Sequence, residues 1–163
     1  MSITATTTSK GRVYHTPDGD FPSVTTILGQ TANNIWLQKW KEKVGEEEAA
    51  RISKYATDRG EKVHSYLERF WNGEDINNEL VNDFEYDDIQ NMTTNLIKAT
   101  SNNITKSYEQ EIAVWHKELG YAGRVDMVGQ WRGEDAIIDF KTSKKKKYIS
   151  NVKDFFFTSC CVC

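Results

Sequence analysis

The chain has 163 residues, of which 28% are charged and 12% aromatic, and its formal net charge is −3. This length suits one domain with a real core, and the composition is globular rather than disordered. No apolar run approaches the roughly 20 residues that span a bilayer, which argues against a membrane protein. We expect one monomeric domain over residues 1–163 without a membrane partner.

The composition at the two ends of the chain indicates the cellular compartment. The threonine-rich start lacks the apolar core of a secretory signal and the arginines of a mitochondrial transit peptide. Cys160, Cys161 and Cys163 are crowded at the other end, where they offer neither a disulfide framework nor a metal pattern. We therefore expect an intracellular protein.

The predicted elements begin with helices. A strand over residues 11–15 ends in a turn at Thr16 to Gly19, and Ser23 is expected to cap a helix reaching Leu28. Apolar spacing predicts further helices over residues 33–44, 46–71 and 84–100, with Gly60 a candidate break or kink. Seven acids between residues 74 and 88, without Lys or Arg, predict an exposed linker or helix start.

Strands follow the helices. Period-two patterns predict strands over residues 106–116, 121–131 and 136–141, and a final helix starts near residue 151. Helices followed by three mostly antiparallel strands indicate an α+β fold.

The last two strands carry the candidate chemistry. The polar connection 131–135 suits a hairpin, which would bring Asp126 close to Asp139. Because side chains alternate between faces, Asp139 and Lys141 share one face while Phe140 points to the other. Ile137 and Ile138 make both faces partly apolar, so the strand is expected to be central. A carboxylate there is costly unless something compensates its charge.

A divalent cation is the simplest compensation. Mg²⁺ binds one or two carboxylates together with waters and substrate phosphate, which suits Asp126 and Asp139 facing nucleic acid. Such an ion activates water and stabilises the phosphate charge, while Lys141 would orient that water or neutralise charge. The alternative is an ordinary Asp–Lys ion pair in a hairpin, which charged strand residues form often.

These residues resemble a known active-site signature. Gly123-x-x-Asp126 followed by Asp139-x-Lys141-Thr-Ser is similar to that of the PD-(D/E)xK nuclease superfamily. Within it, the chain resembles the RecB-like branch, in particular the mitochondrial genome maintenance exonuclease and related phage exonucleases. Pro22-Ser-Val-Thr and Arg59-Gly-x-x-x-His64 match further motifs of that branch in the same order, so the resemblance runs from about residue 12 to 154.

The resemblance implies a fold, an activity and roles for residues. It implies a restriction-endonuclease-like core and a metal-dependent DNA exonuclease that acts on single-stranded ends or flaps and leaves 5′-phosphates. Mg²⁺ or Mn²⁺ would be held by His64, Asp126, Asp139 and the carbonyl of Phe140. Glu111 would support the site, and Glu68 shares a helix face with His64 as a weaker supporting residue. A phage-borne gene would place the protein in the host cytoplasm.

Several residues are candidate DNA contacts. Lys141 and Lys144 to Lys147 form a basic run beside the proposed site, suited to phosphates, although such a run alone is more often a solvated loop. Ser23, Thr25 and Thr26 would either bind phosphate at a helix N-terminus or merely cap that helix. The complete set of predicted DNA contacts is Ser23, Thr25, Thr26, Arg59, Tyr121, Arg124, Thr142, Ser143, Lys144 and Lys145.

The end of the chain departs from the branch. Thr158 and Val162 stand where the branch has Gln and Tyr in a DNA-contacting element, so the core is expected to be truncated or altered after about residue 154. Two alternatives therefore stay open. One is a nuclease that resects duplex ends with a helicase or recombinase, and the other is a catalytically impaired DNA-binding remnant.

Overall fold

The computed structural model describes residues 3–31, 34–86 and 88–142 of the chain. These residues fall into two compact units, which we call unit 1 (Met1–Ile52 with Glu111–Val125) and unit 2 (Ser53–Gln110 with Asp126–Cys163). The predicted final helix, the three cysteines, and Ser143, Lys144 and Lys145 lie outside the described residues. Among the described residues, no helix combines the length and apolarity needed to cross a membrane.

The described residues form five helices and six strands. The helices are α1 Val24–Thr31, α2 Ile35–Val44, α3 Glu46–Trp71, α4 Asn77–Val81 and α5 Ile89–Thr100. The strands are β1 Thr4–Thr8, β2 Gly11–Thr16, β3 Gly19–Pro22, β4 Ile104–His116, β5 Tyr121–Trp131 and β6 Glu134–Ile138. They form two antiparallel sheets in the orders β1-β2-β3 and β4-β5-β6, which confirms the α+β class. Among the described strands, β5 is central and β6 lies at an edge of its sheet, so the expectation that β6 is central was wrong.

Unit 1 contains a sheet that the predictions captured only in its middle strand. Thr7 pairs with Arg12 across β1 and β2, and Tyr14 pairs with Phe21 across β2 and β3. Gly11 begins β2 at a φ of 120°, and a Cβ there would lie 2.3 Å from Cγ2 of Thr26. The close approach of α1 to the start of β2 therefore requires glycine.

The core of unit 2 is built on one face of α3. Val63, Tyr66 and Leu67 are each at most 2% exposed, and they pack with Met127 of β5 and Phe140 in one apolar cluster. Acids in the first turn of α3 and Arg69 in its last turn suit the helix dipole. The helix runs unbroken through Gly60, so the proposed break is absent.

Two predicted boundaries were wrong. The helix predicted from residue 84 starts instead at Ile89, because Asp88 has a left-handed backbone with a φ of 66°. The short helix α4, which was not predicted, precedes it. Strand β6 ends at Ile138 rather than at residue 141. Beyond it, the backbone amide of Phe140 donates to the Asp126 side chain and not to the backbone of β5.

Five of the six described acids of the acidic segment 74–88 are exposed, as expected, and Asp83 is the exception. The Asp83 side chain is 6% exposed, accepts a hydrogen bond from the Tyr66 hydroxyl at 2.7 Å, and lies 3.0 Å from Lys62 Nζ. Lys62 also bonds Glu85, while Arg69 pairs with Glu74 and Glu79. These acids therefore pair with two cations of α3.

This cluster predicts acid sensitivity in unit 2. Burial alone raises the pKa of Asp83, but the bonds from Tyr66 and Lys62 outweigh it and hold the pKa below its ordinary value. The resulting stability is present above that ordinary value and is lost as the pH falls through the depressed pKa. Asp83→Asn should therefore lower the free energy of unfolding at pH 7 by about 1–2 kcal/mol.

The measurement is urea unfolding of both proteins between pH 7 and pH 2. Asp83→Asn should lose less stability than the wild type over this acid range, whereas Glu61→Gln, at an exposed site on α3, should follow the wild type. Parallel pH curves for Asp83→Asn and the wild type would contradict the assignment.

Candidate active site

Asp126 stands at the centre of the candidate site in unit 2. Its neighbour Met127 is fully buried in the core, so the alternation of β5 turns the Asp126 carboxylate to the other face. The backbone amide of Phe140 donates to Asp126 Oδ2 at 2.6 Å. This bond ties the end of the β5–β6 hairpin to the carboxylate.

His64 reaches the same carboxylate from α3. Its Nδ1 lies 3.5 Å from Asp126 Oδ1, and the two side chains are 25% and 15% exposed. The His64 ring also meets the Phe140 ring edge-on, with centroids 6.4 Å apart. His64 follows Val63 of the core face, so the packing of α3 sets where the imidazole lies.

The electrostatics keep Asp126 anionic. Burial alone raises the pKa of this carboxyl, but hydrogen bonds from His64 and the Phe140 amide outweigh it and lower the pKa below its ordinary value. A half-buried carboxylate that stays charged beside an imidazole is a typical metal-ligand arrangement.

The donor set fits a divalent cation. Asp126 Oδ2 is bound to the Phe140 amide, whereas Oδ1 faces the imidazole. Two ligands that are each about 2.1 Å from one ion are separated by at most about 4.2 Å. The observed 3.5 Å between Nδ1 and Oδ1 lies within that limit. Mg²⁺ or Mn²⁺ could therefore be shared by these two side chains.

Asp139 and Lys141 follow the hairpin. Met127 pairs with Ile138, so Asp126 and Asp139 are the next residues along the two chains. The Lys141 ammonium lies 2.7 Å from both oxygens of Asp139, and the side chains are 72% and 51% exposed. The structure thus brings the two segments together as predicted, and it also contains the Asp–Lys ion pair that was the alternative.

Glu111 belongs to unit 1, on β4. It has a φ of 51°, a left-handed conformation that is uncommon for a non-glycine residue in a strand. Arg124 Nε lies 2.6 Å from Glu111 Oε2 and donates to the Glu111 carbonyl at 3.1 Å. Strained backbone of this kind is concentrated at functional sites.

The Arg59-Gly60 motif has a packing role that the sequence did not reveal. A Cβ on Gly60 would lie 3.4 Å from Thr142 Oγ1, at the limit of ordinary van der Waals contact, so the chain after β6 passes close to α3 at this position. Arg59 is 6% exposed, its guanidinium lies over the Tyr55 ring, and its Nε has no hydrogen-bond partner among the described residues. In the sequence, the only signal for this close approach is Gly60 inside a helix, where a break or kink was predicted.

The Ser23 group forms a helix cap. Ser23 is 3% exposed, and its hydroxyl accepts from the Thr26 amide at 3.0 Å. The same hydroxyl bonds the hydroxyls of Thr25 and Thr26, while Thr26 Oγ1 accepts from the Arg12 amide. Capping thus occupies the Ser23 hydroxyl, whereas Thr25 stays exposed.

The remaining predicted DNA contacts are divided between the units. Tyr121 and Arg124 lie on β5 in unit 1, where the Tyr121 ring is 6.0 Å from that of His116. Thr142, in unit 2, is the last described residue.

Comparison with known proteins shows similarity to exonucleases. The chain is 32% identical over 151 residues to mitochondrial genome maintenance exonuclease 1 of Xenopus tropicalis, covering 86% of this chain and 41% of the relative. The Mus musculus protein is 31% identical over 139 residues, and the Homo sapiens protein 26% over 133 residues. Each of these two matches covers 77% of this chain and 38% of the relative.

These matches are partial in length. The chain spans about two fifths of the curated relatives it matches. No protein-family model matches the chain. The three relatives are each named as an exonuclease, and the similarity supports an exonuclease family.

Proposed function

We propose that this chain is a metal-dependent DNA exonuclease that acts on single-stranded ends or flaps, with a PD-(D/E)xK core of the RecB-like, restriction-endonuclease-like type. The observation that carries the proposal is that His64 Nδ1 lies 3.5 Å from Asp126 Oδ1, while the Phe140 amide donates to Asp126 Oδ2. The similarity to mitochondrial genome maintenance exonuclease 1 of two species supports the exonuclease part.

Each residue has a proposed role. His64, Asp126, Asp139 and the Phe140 carbonyl would hold Mg²⁺ or Mn²⁺, and Glu111 would support the site. The bound ion would lower the pKa of a water and stabilise the charge of the phosphate under attack. The Phe140 amide keeps one Asp126 oxygen in place. In the structure, Lys141 is paired with Asp139. When the phosphate of DNA binds at the site, Lys141 would orient the attacking water or balance the negative charge of that phosphate.

The experiment that tests this function compares three DNA substrates. End-labelled single-stranded, blunt duplex and closed circular single-stranded DNA are incubated with Mg²⁺, Mn²⁺ or EDTA. We expect linear single strands to be degraded only with a metal ion, and the circle to stay intact because it has no end. Asp139→Asn, purified in the same way, controls for contaminating nucleases.

Cutting of the closed circle would overturn the exonuclease assignment. Degradation of blunt duplex only when a helicase or recombinase is added would indicate a duplex-resecting nuclease instead.

A second candidate function is favoured by one observation. The Lys141 ammonium contacts both Asp139 oxygens, as in an ordinary surface ion pair. A catalytically impaired DNA-binding protein would show salt-sensitive DNA binding that persists in Asp139→Asn, with no metal-dependent cleavage by either form.

A further inference from the structure

Unit 1 contains a cavity of about 590 Å³ that none of the proposed catalytic steps uses as a binding site. Its walls are one face of the β1–β2 hairpin and one face of a second hairpin, which is formed by the end of β4 and the start of β5. The residues that matter for its chemistry are Thr7, Arg12, Tyr14, Glu111, Trp115 and Arg124. The volume lies within the roughly 300–1,000 Å³ typical of ligand sites.

The strand registers explain how the cavity is built. Thr7 lies opposite Arg12 and Ala5 opposite Tyr14, so these side chains share one face of the small sheet. On β4, Ala113 and Trp115 are two residues apart and share a face by the same period. The small side chains of Ala5 and Ala113 leave space between the larger ones.

The charge in this cavity suits an anionic ligand. Arg12 and Arg124 are both exposed and line it, and its acid Glu111 is paired with Arg124. Arg12 Nε donates to Thr7 Oγ1 at 3.5 Å, and no carboxylate among the described residues pairs with Arg12. Its guanidinium can therefore give two parallel hydrogen bonds to a phosphate.

Trp115 is held as a rigid aromatic surface. Its indole Nε1 donates to Asp18 Oδ2 at 3.0 Å, and Lys117 Nζ lies 2.7 Å from the other oxygen of Asp18. The side chain nevertheless stays 37% exposed at the cavity. Single-stranded nucleic acids bind to such a combination of an accessible indole and an arginine that pairs with no described carboxylate, with the base stacked on the ring and the phosphate on the arginine.

We propose that this cavity is a subsite for one nucleotide of a single DNA strand, with its phosphate on Arg12 and its base against Trp115. The inference rests on the proposed function, which requires the protein to hold a single strand, and it adds residues outside the catalytic set. The subsite would act by retaining the strand between cleavage events.

Binding without metal tests the subsite separately from cleavage. A fluorescein-labelled thymidine oligonucleotide is titrated in EDTA against the full chain, Arg12→Gln, Trp115→Ala and Lys10→Gln. Lys10→Gln removes the same charge in the β1–β2 turn, outside the cavity lining, and should bind within about twofold of the wild type. Trp115→Ala should bind roughly 5- to 150-fold more weakly, the range for one stacked base.

Two signatures separate direct contact from altered folding. Arg12→Gln should lower the slope of log affinity against log salt by about 0.7, the value for one single-strand phosphate. With an abasic oligonucleotide, Trp115→Ala should bind like the wild type, because there is no base to stack. Trp115→Phe, which keeps a ring, should retain most of the affinity.

The possible results are distinguishable. Wild-type affinity of both Arg12→Gln and Trp115→Ala would overturn the subsite, even if the chain cleaves DNA. Weakened binding by these variants without any metal-dependent cleavage would support the subsite and refute the nuclease. Thymidine monophosphate competing as tightly as the oligonucleotide would overturn the assignment to a DNA strand, because the site would then serve a free nucleotide.

Discussion

Asp126→Asn is expected to reduce metal-dependent cleavage of single-stranded DNA by a factor on the order of 10²–10³ or more, the scale for loss of a key electrostatic group. Asparagine keeps the size of the side chain, and its carbonyl can still accept the Phe140 amide that Asp126 Oδ2 accepts at 2.6 Å. What the substitution removes is the negative charge beside His64 that would attract the cation. Cleavage should fall while the fold persists.

The measurement is the initial rate of nucleotide release from a labelled strand, together with Mn²⁺ binding by calorimetry. Asp135→Asn is the matched control, because Asp135 is on the same hairpin and accepts from the Tyr108 hydroxyl, away from the Phe140 end. The control should cleave like the wild type. Equal rates for Asp126→Asn and the wild type would remove this carboxylate from the mechanism.

Leu67→Ala is expected to cost about 2–5 kcal/mol of the free energy of unfolding, the range for a buried leucine truncated in a packed core. Leu67 is 0% exposed and lies in the cluster that includes Met127 and Phe140. Leu119→Ala is the matched control, because Leu119 is 64% exposed and its truncation should stay within about 0.5 kcal/mol.

Urea unfolding followed by circular dichroism measures both variants. Because the described chain forms two compact units, unfolding can show two transitions. Where two are resolved, the free energy of unfolding is fitted for each. A loss of less than about 1 kcal/mol for Leu67→Ala would show that the core of unit 2 is looser than its burial indicates. His64 is one turn before Leu67 on α3, so the variant should also weaken Mn²⁺ binding.

Long elements with a strong pattern were predictable from local sequence. The bounds of α3 agree with the prediction at both ends, since acids fill its first turn and a continuous apolar face runs to Trp71. β5 agrees equally well, because its alternation is regular between the loops on either side. The pairing of β5 with β6 was also predictable, and it makes Asp126 and Asp139 the next residues beyond the pair Met127 and Ile138.

Short elements were less predictable. β1 is a five-residue run rich in threonine, and every one of its side chains is exposed, so no apolar alternation marked it. Threonine is nevertheless favoured in strands, and this was the signal that was available. α4 has five residues and only Leu80 buried, too little for a helical period to be detected.

In this protein, local sequence determines the elements and the candidate residues, whereas the tertiary structure determines the environment of each side chain. Residue types and their spacing were sufficient to select Asp126, Asp139 and Lys141 as candidate chemistry and to predict an α+β chain. Three further features required the folded chain: the burial of Asp83 against α3, the bond from the Phe140 amide to Asp126, and the cavity beside Arg12 and Trp115. Each depends on groups between 14 and 103 residues apart in the chain (140 − 126 and 115 − 12). Periodicity reports which face a side chain occupies within its own element, whereas the partner on that face is chosen by packing.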